Sequence, residues 1–149
     1  MAIMPKKAVT PAQKFIRYTL LSLLAIAMLW GLWSGLQSVT HNEELAAKRA
    51  QEFAEVLLIK QDLDGAYQMM SSKARGYVPL EQFKTNIVGY HPNGYPKTIK
   101  VVEIRPEKEM STVYVLLRGE DGSGKVFNYR FMLNGTEKSD YKVTTVDRF

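Results

Sequence analysis

The sequence KVFNYRFML at residues 125–133 decides the fold of this chain, because its side chains alternate in character with a period of two. One face of the predicted strand carries large apolar side chains: Phe127, Tyr129, Phe131 and Leu133. The opposite face carries a more polar set: Val126, Asn128, Arg130 and Met132. This pattern is typical of a β-strand that buries one face and exposes the other.

Three further segments have the character of β-strands, at residues 98–105, 110–119 and 140–147. The turn sequences DGSG at 121–124 and NGTE at 134–137 separate the later strands. Short connections join neighbouring strands antiparallel, so we predict a four-stranded antiparallel meander.

Before the strands, the apolar residues recur with the period of a helix. The predicted helices span residues 43–60, 66–72 and 80–88. The candidate caps are Thr40 or Asn42 for the first helix and Asp62 or Asp64 for the second, and Pro79 suits the first turn of the third. With helices covering one face of the sheet, the domain over 43–149 is predicted to be α+β.

The segment YTLLSLLAIAMLWGLWSGLQSV at residues 18–39 contains no charged side chain. Its 22 residues would span about 33 Å as a helix, enough to cross the hydrocarbon core of a bilayer. A buried helix of a soluble protein would normally show a polar stripe, whereas this segment is apolar around most of its circumference. We predict a transmembrane helix, and we prefer an uncleaved anchor to a signal peptide because the apolar run is long.

Basic residues precede this segment and acidic residues follow it. The flanking charges are Lys6, Lys7, Lys14 and Arg17 on one side and Glu43 and Glu44 on the other. The positive-inside rule then predicts a basic cytoplasmic tail over 1–17 and an extracytoplasmic domain over 43–149. The membrane would be a cell inner membrane, or a thylakoid or other organelle inner membrane, with the domain periplasmic or lumenal.

The composition limits the chemistry that this chain can perform. Its 149 residues include no cysteine and two histidines, which excludes disulfides, thiol catalysis and iron–sulfur clusters, and we expect no metal or cofactor. The formal net charge of +5 lies almost wholly in the N-terminal tail, since residues 43–149 carry 16 basic and 15 acidic side chains. Nucleic acid is therefore not an expected partner.

Small residues recur on one face of the predicted transmembrane helix: Ala27, Gly31, Ser34, Gly35 and Ser38. Small side chains let the backbone of a second helix approach closely, and Gly31 and Gly35 form a GxxxG sequence. We predict that this helix-packing face contacts either a second copy of the chain or a different integral membrane protein.

The stretch AEVLLIKQDLDGAYQMMSSKARGYVPLEQF at residues 54–83 places an acidic-glycine turn before Ala66 and Tyr67, and then a linker before Glu81-Gln82-Phe83. This order, followed by a meander, resembles the small extracytoplasmic domains of the nuclear transport factor 2-like superfamily over about residues 43–147. The resemblance implies a cone built from helices and a curved sheet. A cystatin-like fold or another α+β sandwich is the main alternative.

The resemblance implies little about activity, because that superfamily includes isomerases, dehydratases, ligand-binding domains and structural inner-membrane components of type IV secretion machines. This chain departs from the enzymatic members, since its predicted cone-facing positions are mostly apolar or aromatic. No Asp–His pair or pair of carboxylates occurs at matching sites. We therefore expect it not to be an enzyme.

Two groups of residues are candidates for binding. A pocket for an apolar ligand would be lined by Tyr67, Phe83, Tyr114, Tyr129 and Phe131, although core packing would use the same rings. A loop stiffened by two prolines presents Tyr90, His91 and Tyr95, and tyrosines in loops favour recognition of a partner. Both histidines, His41 and His91, are expected to be exposed.

Together these features predict a non-catalytic, single-pass accessory, scaffold or assembly subunit of a larger membrane protein complex. Its expected partners are the lipid bilayer and integral membrane subunits of that complex. The alternatives are a membrane-tethered domain that binds a small ligand, and a scaffold component of a secretion machine, which would form a homo-oligomer.

Overall fold

The computed structural model of the chain describes residues 10–35 and 39–149. Two compact units are present, Met1–Ser38 and Val39–Phe149. The described part of the first unit is one long helix, α1 (Pro11–Gly35). Over Pro11–Trp33, α1 is long and apolar enough to span a membrane.

α1 begins before the apolar segment at 18–39 in which the sequence predicted a helix. Pro11 occupies the first turn, where its missing N–H is not needed, and Lys14 and Arg17 are good helix formers. Residues 36–38 of the predicted segment lie outside the described residues.

The second unit opens with α2 (Glu43–Ala54), which continues as a π-helical segment (Glu55–Ile59). Of the two candidate caps, Asn42 is the one used, because its side chain accepts a hydrogen bond from the Leu45 N–H at 3.0 Å. The next helix is α3 (Leu63–Met69), and Asp62 caps it by accepting from the Gly65 N–H at 2.9 Å.

A short helix that the sequence did not predict follows, α4 (Ser72–Tyr77). Ser71 caps it by accepting from the Ala74 N–H at 3.1 Å. Helices this short are unstable alone, so their sequences carry little periodicity and depend on packing. The last helix, α5 (Leu80–Tyr90), starts directly after Pro79, as predicted.

The four predicted strands are present and their antiparallel meander is confirmed. They are β1 (Thr98–Pro106), β2 (Thr112–Glu120), β3 (Val126–Thr136) and β4 (Ser139–Arg148). The sheet has the order β1-β2-β3-β4, and every neighbouring pair is antiparallel. The unit is therefore an α+β domain.

A β-bulge in β1 explains why its sequence does not alternate regularly. Val101 lies opposite Leu117 and Glu103 lies opposite Leu116, so Val102 is an extra residue in the strand. Val102 is 61% exposed, and the shift returns Ile104 to the inner side of the sheet, opposite Val115. On the strand's inner side, Gln51 of α2 donates a hydrogen bond to the Ile99 carbonyl at 2.9 Å.

The helices cover one face of the sheet, and the core lies between them. In α2, Ala46, Ala50 and Ala54 are fully buried, and their small size lets the helix backbone lie close to the strands. Phe53 reaches further and meets the edge of the Phe131 ring, with centroids 5.4 Å apart at 88°. The predicted inward-facing residues of β3 are all buried in this core.

Two hairpin loops bind the first residues of the second unit. The Val39 N–H donates to the Lys108 carbonyl in the β1–β2 loop at 3.2 Å. The Glu137 N–H in the β3–β4 loop donates to the Thr40 carbonyl at 2.9 Å. The chain is therefore part of the folded domain from its first residue in this unit.

Candidate functional site

The described residues of the predicted helix-packing face are exposed on α1. Ala27 and Gly31 are both exposed there. Ser34 and Gly35 fall within α1, and Ser38 lies outside the described residues. Within the described residues, none of the apolar window of α1 is buried.

The structure corrects the expectation that His91 is an exposed loop residue. His91 is only 6% exposed and is the one buried polar or charged residue within the described ranges. The helix α5 runs to Tyr90, and the His91 N–H donates to the Val88 carbonyl at 3.0 Å, which fixes the ring beneath the helix end. Tyr90 and Tyr95, its partners in the predicted loop, are half-buried against the core.

Both ring nitrogens of His91 have hydrogen-bond partners. Nδ1 lies 2.7 Å from the Ile87 carbonyl, which can only accept, so Nδ1 carries the proton. In the neutral ring Nε2 is then an acceptor, and the Tyr129 hydroxyl donates to it at 2.8 Å. Tyr95 stacks on the same ring, with centroids 4.2 Å apart and planes 12° apart.

Burial of this cluster favours the uncharged forms of His91, Tyr129 and Tyr95. Burial lowers the pKa of His91 below its ordinary value, and the nearby Arg148 guanidinium lowers that pKa further, against the opposing effect of the Ile87 carbonyl. Burial also raises the pKa of Tyr129 and that of Tyr95. The cluster is therefore neutral at pH 7.

The structure brings together four of the five residues of the predicted aromatic pocket. Tyr67 and Phe83 have ring centroids 5.5 Å apart, and those of Tyr129 and Phe131 are 6.3 Å apart, all in the core. Tyr114 is separate from them. It lies opposite Met132 on the outer face of the sheet, because its neighbours Val113 and Val115 point inward.

The buried rings of this group act mainly as core residues. The Tyr67 hydroxyl donates to the backbone carbonyls of Val78 at 2.8 Å and Arg75 at 3.1 Å, which ties α3 to α4. Phe83 also borders a cleft, of about 180 Å³, whose other lining residues include Ile87, Tyr90 and Val146.

A larger groove, of about 300 Å³, lies between α4 and the outer face of the sheet. Its lining includes Lys73, Tyr77, Thr112, Met132, Asn134 and Thr145. Tyr77 is 75% exposed. Sequence reasoning missed this groove because one of its walls is α4, whose formation the sequence did not predict.

His41 was also expected to be exposed, and the structure instead places it at a junction. Nε2 lies 2.9 Å from the carbonyls of both Glu107 and Met110, and Nδ1 lies 3.3 Å from the Tyr141 hydroxyl. The same hydroxyl accepts from the Asn42 N–H at 2.9 Å. The alternation of Tyr141 and Val143 in the sequence indicates that Tyr141 points inward, but no local pattern identifies its partners.

The two aspartates between α2 and α5 are used in a cap and an ion pair. Asp62 caps α3, and Asp64 pairs with Lys84 at 3.0 Å. Throughout the described ranges, no group of three or more His, Cys, Asp or Glu side chains is placed to hold a metal ion.

Comparison of the chain with protein-family models, with curated proteins and with solved structures gives no match. The two distinctive features of the chain are an exposed apolar helix and a compact domain with one buried histidine.

Proposed function

We propose that the chain is an uncleaved, single-pass membrane protein that serves as a non-catalytic accessory, scaffold or assembly subunit of a larger membrane protein complex. The exposure of α1 carries this proposal. The large apolar side chains from Phe15 to Trp33 are between 53% and 75% exposed. Removing apolar area from water is favourable by about 25 cal/mol per Å², so a helix that exposed these side chains to water would be unstable. Over Pro11–Trp33 the helix has 23 residues, or about 35 Å, which matches the hydrocarbon core of a bilayer.

The charges near α1 support an orientation with the N-terminus in the cytoplasm. Lys14 and Arg17 lie in its first turns, and no acidic residue occurs before Glu43. Trp30 and Trp33 lie toward its other end, where indole rings favour the membrane interface. We infer that the α+β domain lies in the periplasm or an organelle lumen, beside an inner membrane.

The filled core supports a binding or bracing role for the domain rather than catalysis. Tyr129 and Phe131 are completely buried, and the one buried histidine has both nitrogens engaged by protein groups. The same packing favours an assembly role over the alternative of a ligand held inside the cone. For the finer fold we propose the nuclear transport factor 2-like cone, supported by helices on one face of a meander whose bulges curve the sheet.

The orientation can be tested because the chain contains no cysteine. We expect the Ser123→Cys variant, whose new cysteine lies in the exposed β2–β3 turn, to react in intact cells or organelles with a maleimide that cannot cross the inner membrane. The matched variant Ala8→Cys should react with the same maleimide only after the membrane is permeabilised. The reverse pattern, or a mature protein that begins beyond α1, would refute the anchored topology.

Docking through α1 can be tested with two substitutions that each introduce leucine. Gly31→Leu places a large side chain on the helix-packing face, and Ala25→Leu places one on a different face of the same helix. After purification in mild detergent, we expect Gly31→Leu to reduce the co-migrating membrane partner to about a fifth or less, because overpacking costs about 1–3 kcal/mol. Ala25→Leu should leave it unchanged. Equal yields from both variants would contradict docking through this face.

A further inference from the structure

His91 is one of the residues that hold the α5–β1 loop (91–97) closed. Beyond the ring contacts, the Lys125 ammonium in the β2–β3 turn donates to the Asn93 carbonyl at 3.2 Å, and the Lys97 N–H donates to the Glu120 carbonyl at 2.7 Å. We propose that His91 is an acid-sensitive switch, whose neutral ring holds this loop against β3 and whose protonation releases it.

Protonation would break the hydrogen-bond arrangement at Tyr129. The added proton sits on Nε2, so the Tyr129 hydroxyl can no longer donate to it and must turn to accept instead. The hydroxyl proton then has no acceptor, since His91 is the only hydrogen-bond partner of this group within 10–35 and 39–149. Tyr129 is fully buried, and an unsatisfied buried donor is strongly destabilising.

Among the residues that the structure describes, no anionic group faces His91 to stabilise its imidazolium ion. From β4, Arg148 lies over the Phe127 ring at 4.9 Å, and from the β2–β3 turn Lys125 lies over it at 5.2 Å. The other groups that face His91 are the Ile87 carbonyl of α5, Tyr95 of its own loop and Tyr129 of β3. The acids closest along the chain to Arg148 and Lys125 are engaged elsewhere, Asp147 with Arg130 and Asp121 with Ser123. A charged ring is therefore more stable in an opened loop, where water reaches it.

The direction of the pH dependence follows from this burial. Because the pKa of His91 is lowered in the closed loop, the closed form has its full stability above the ordinary histidine pKa and loses stability as the pH falls below it. The opening constant should rise by about tenfold for each pH unit below about 6.5, until the buried ring itself titrates.

Opening would change the surface that the domain presents. Tyr95 would leave its stack on His91, and the Phe127 and Tyr129 side chains beneath would lose their cover. Tyrosine and phenylalanine are typical anchors of protein interfaces. If the chain is a subunit of a membrane complex, as proposed above, acid in the extracytoplasmic compartment would expose a contact surface for its partner.

The switch can be tested on the purified full chain in detergent by hydrogen exchange, with mass spectrometry, between about pH 7.5 and about pH 5. After correction for intrinsic exchange rates, we expect opening of the α5–β1 loop to rise about tenfold per pH unit below about 6.5. His91→Gln should remove this pH dependence, and His41→Gln, the matched control, should keep it. A loop with no pH dependence, or the same dependence in His91→Gln, would overturn the proposal.

A second variant keeps the test valid if His91→Gln does not fold. Tyr129→Phe removes the hydroxyl that favours the neutral ring, so the pKa of His91 in the closed loop should rise toward its ordinary value. The acid-driven rise in loop opening should then be smaller and level off at a higher pH. The chain has two histidines, so ring NMR signals can report each one separately. An unchanged His91 titration in Tyr129→Phe would contradict the switch. These measurements need no partner, so their outcome is independent of whether α1 docks in a complex.

Discussion

Replacement of Phe131 by alanine is expected to reduce the free energy of unfolding of the domain by about 3–5 kcal/mol. Phe131 is fully buried at the centre of β3 and meets the Phe53 ring edge-on at 5.4 Å, so its ring joins the sheet to α2. Removing it leaves a cavity between two rigid elements that cannot collapse freely. Denaturant unfolding of the full chain in detergent, followed by near-ultraviolet circular dichroism, measures the loss.

Val126→Ala is the matched control for this variant. Val126 lies on the same strand but is 38% exposed, so its truncation should cost less than about 1 kcal/mol. A loss at Phe131 no larger than that at Val126 would show that α2 does not pack on β3 as described.

The second large effect is expected at Gly135, the second-to-last residue of β3. A Cβ atom there would lie 2.8 Å from the Asp140 carbonyl oxygen and 2.9 Å from the Tyr141 Cα. Both are backbone atoms of the neighbouring strand and cannot move without separating the hairpin. We expect Gly135→Ala to reduce the free energy of unfolding by about 1–3 kcal/mol or more.

Gly89→Ala makes the same chemical change but is expected to raise the free energy of unfolding. A Cβ atom at Gly89 would meet nothing within 4 Å, and Gly89 lies inside α5, where alanine favours the helix. This variant should gain about 0.5–1 kcal/mol in the same denaturant experiment. If both alanine variants changed stability equally, the close approach of β4 to Gly135 would be incorrect.

The strands and most helices could be predicted because their signals are local. Alternation along β3 identified its buried face, and Asn42 and Asp62 are cap residues at the positions where α2 and α3 begin. The bulge at Val102 could not be predicted, since an extra residue is recognised only from the pairing with β2. The sequence showed only that alternation fails there.

The candidate sites were harder to predict because they depend on contacts between distant residues. Tyr114 was grouped with the core aromatics by residue type, whereas the alternation of β2 places it on the outer face. His91 lies among prolines and glycines, which indicate a loop but not that α5 and β3 close over it. Burial of this kind follows from tertiary packing, which a local pattern does not contain.

The extra residue in β1 has a consequence for how copies of the domain can meet. β1 is one of the two terminal strands of the sheet, and a regular terminal strand can pair with the same strand of a neighbouring molecule. Val102 interrupts the regular spacing of its outward groups, and the charged side chains of Lys100 and Arg105 flank it. An irregular and charged edge of this kind disfavours edge-to-edge joining into fibrils.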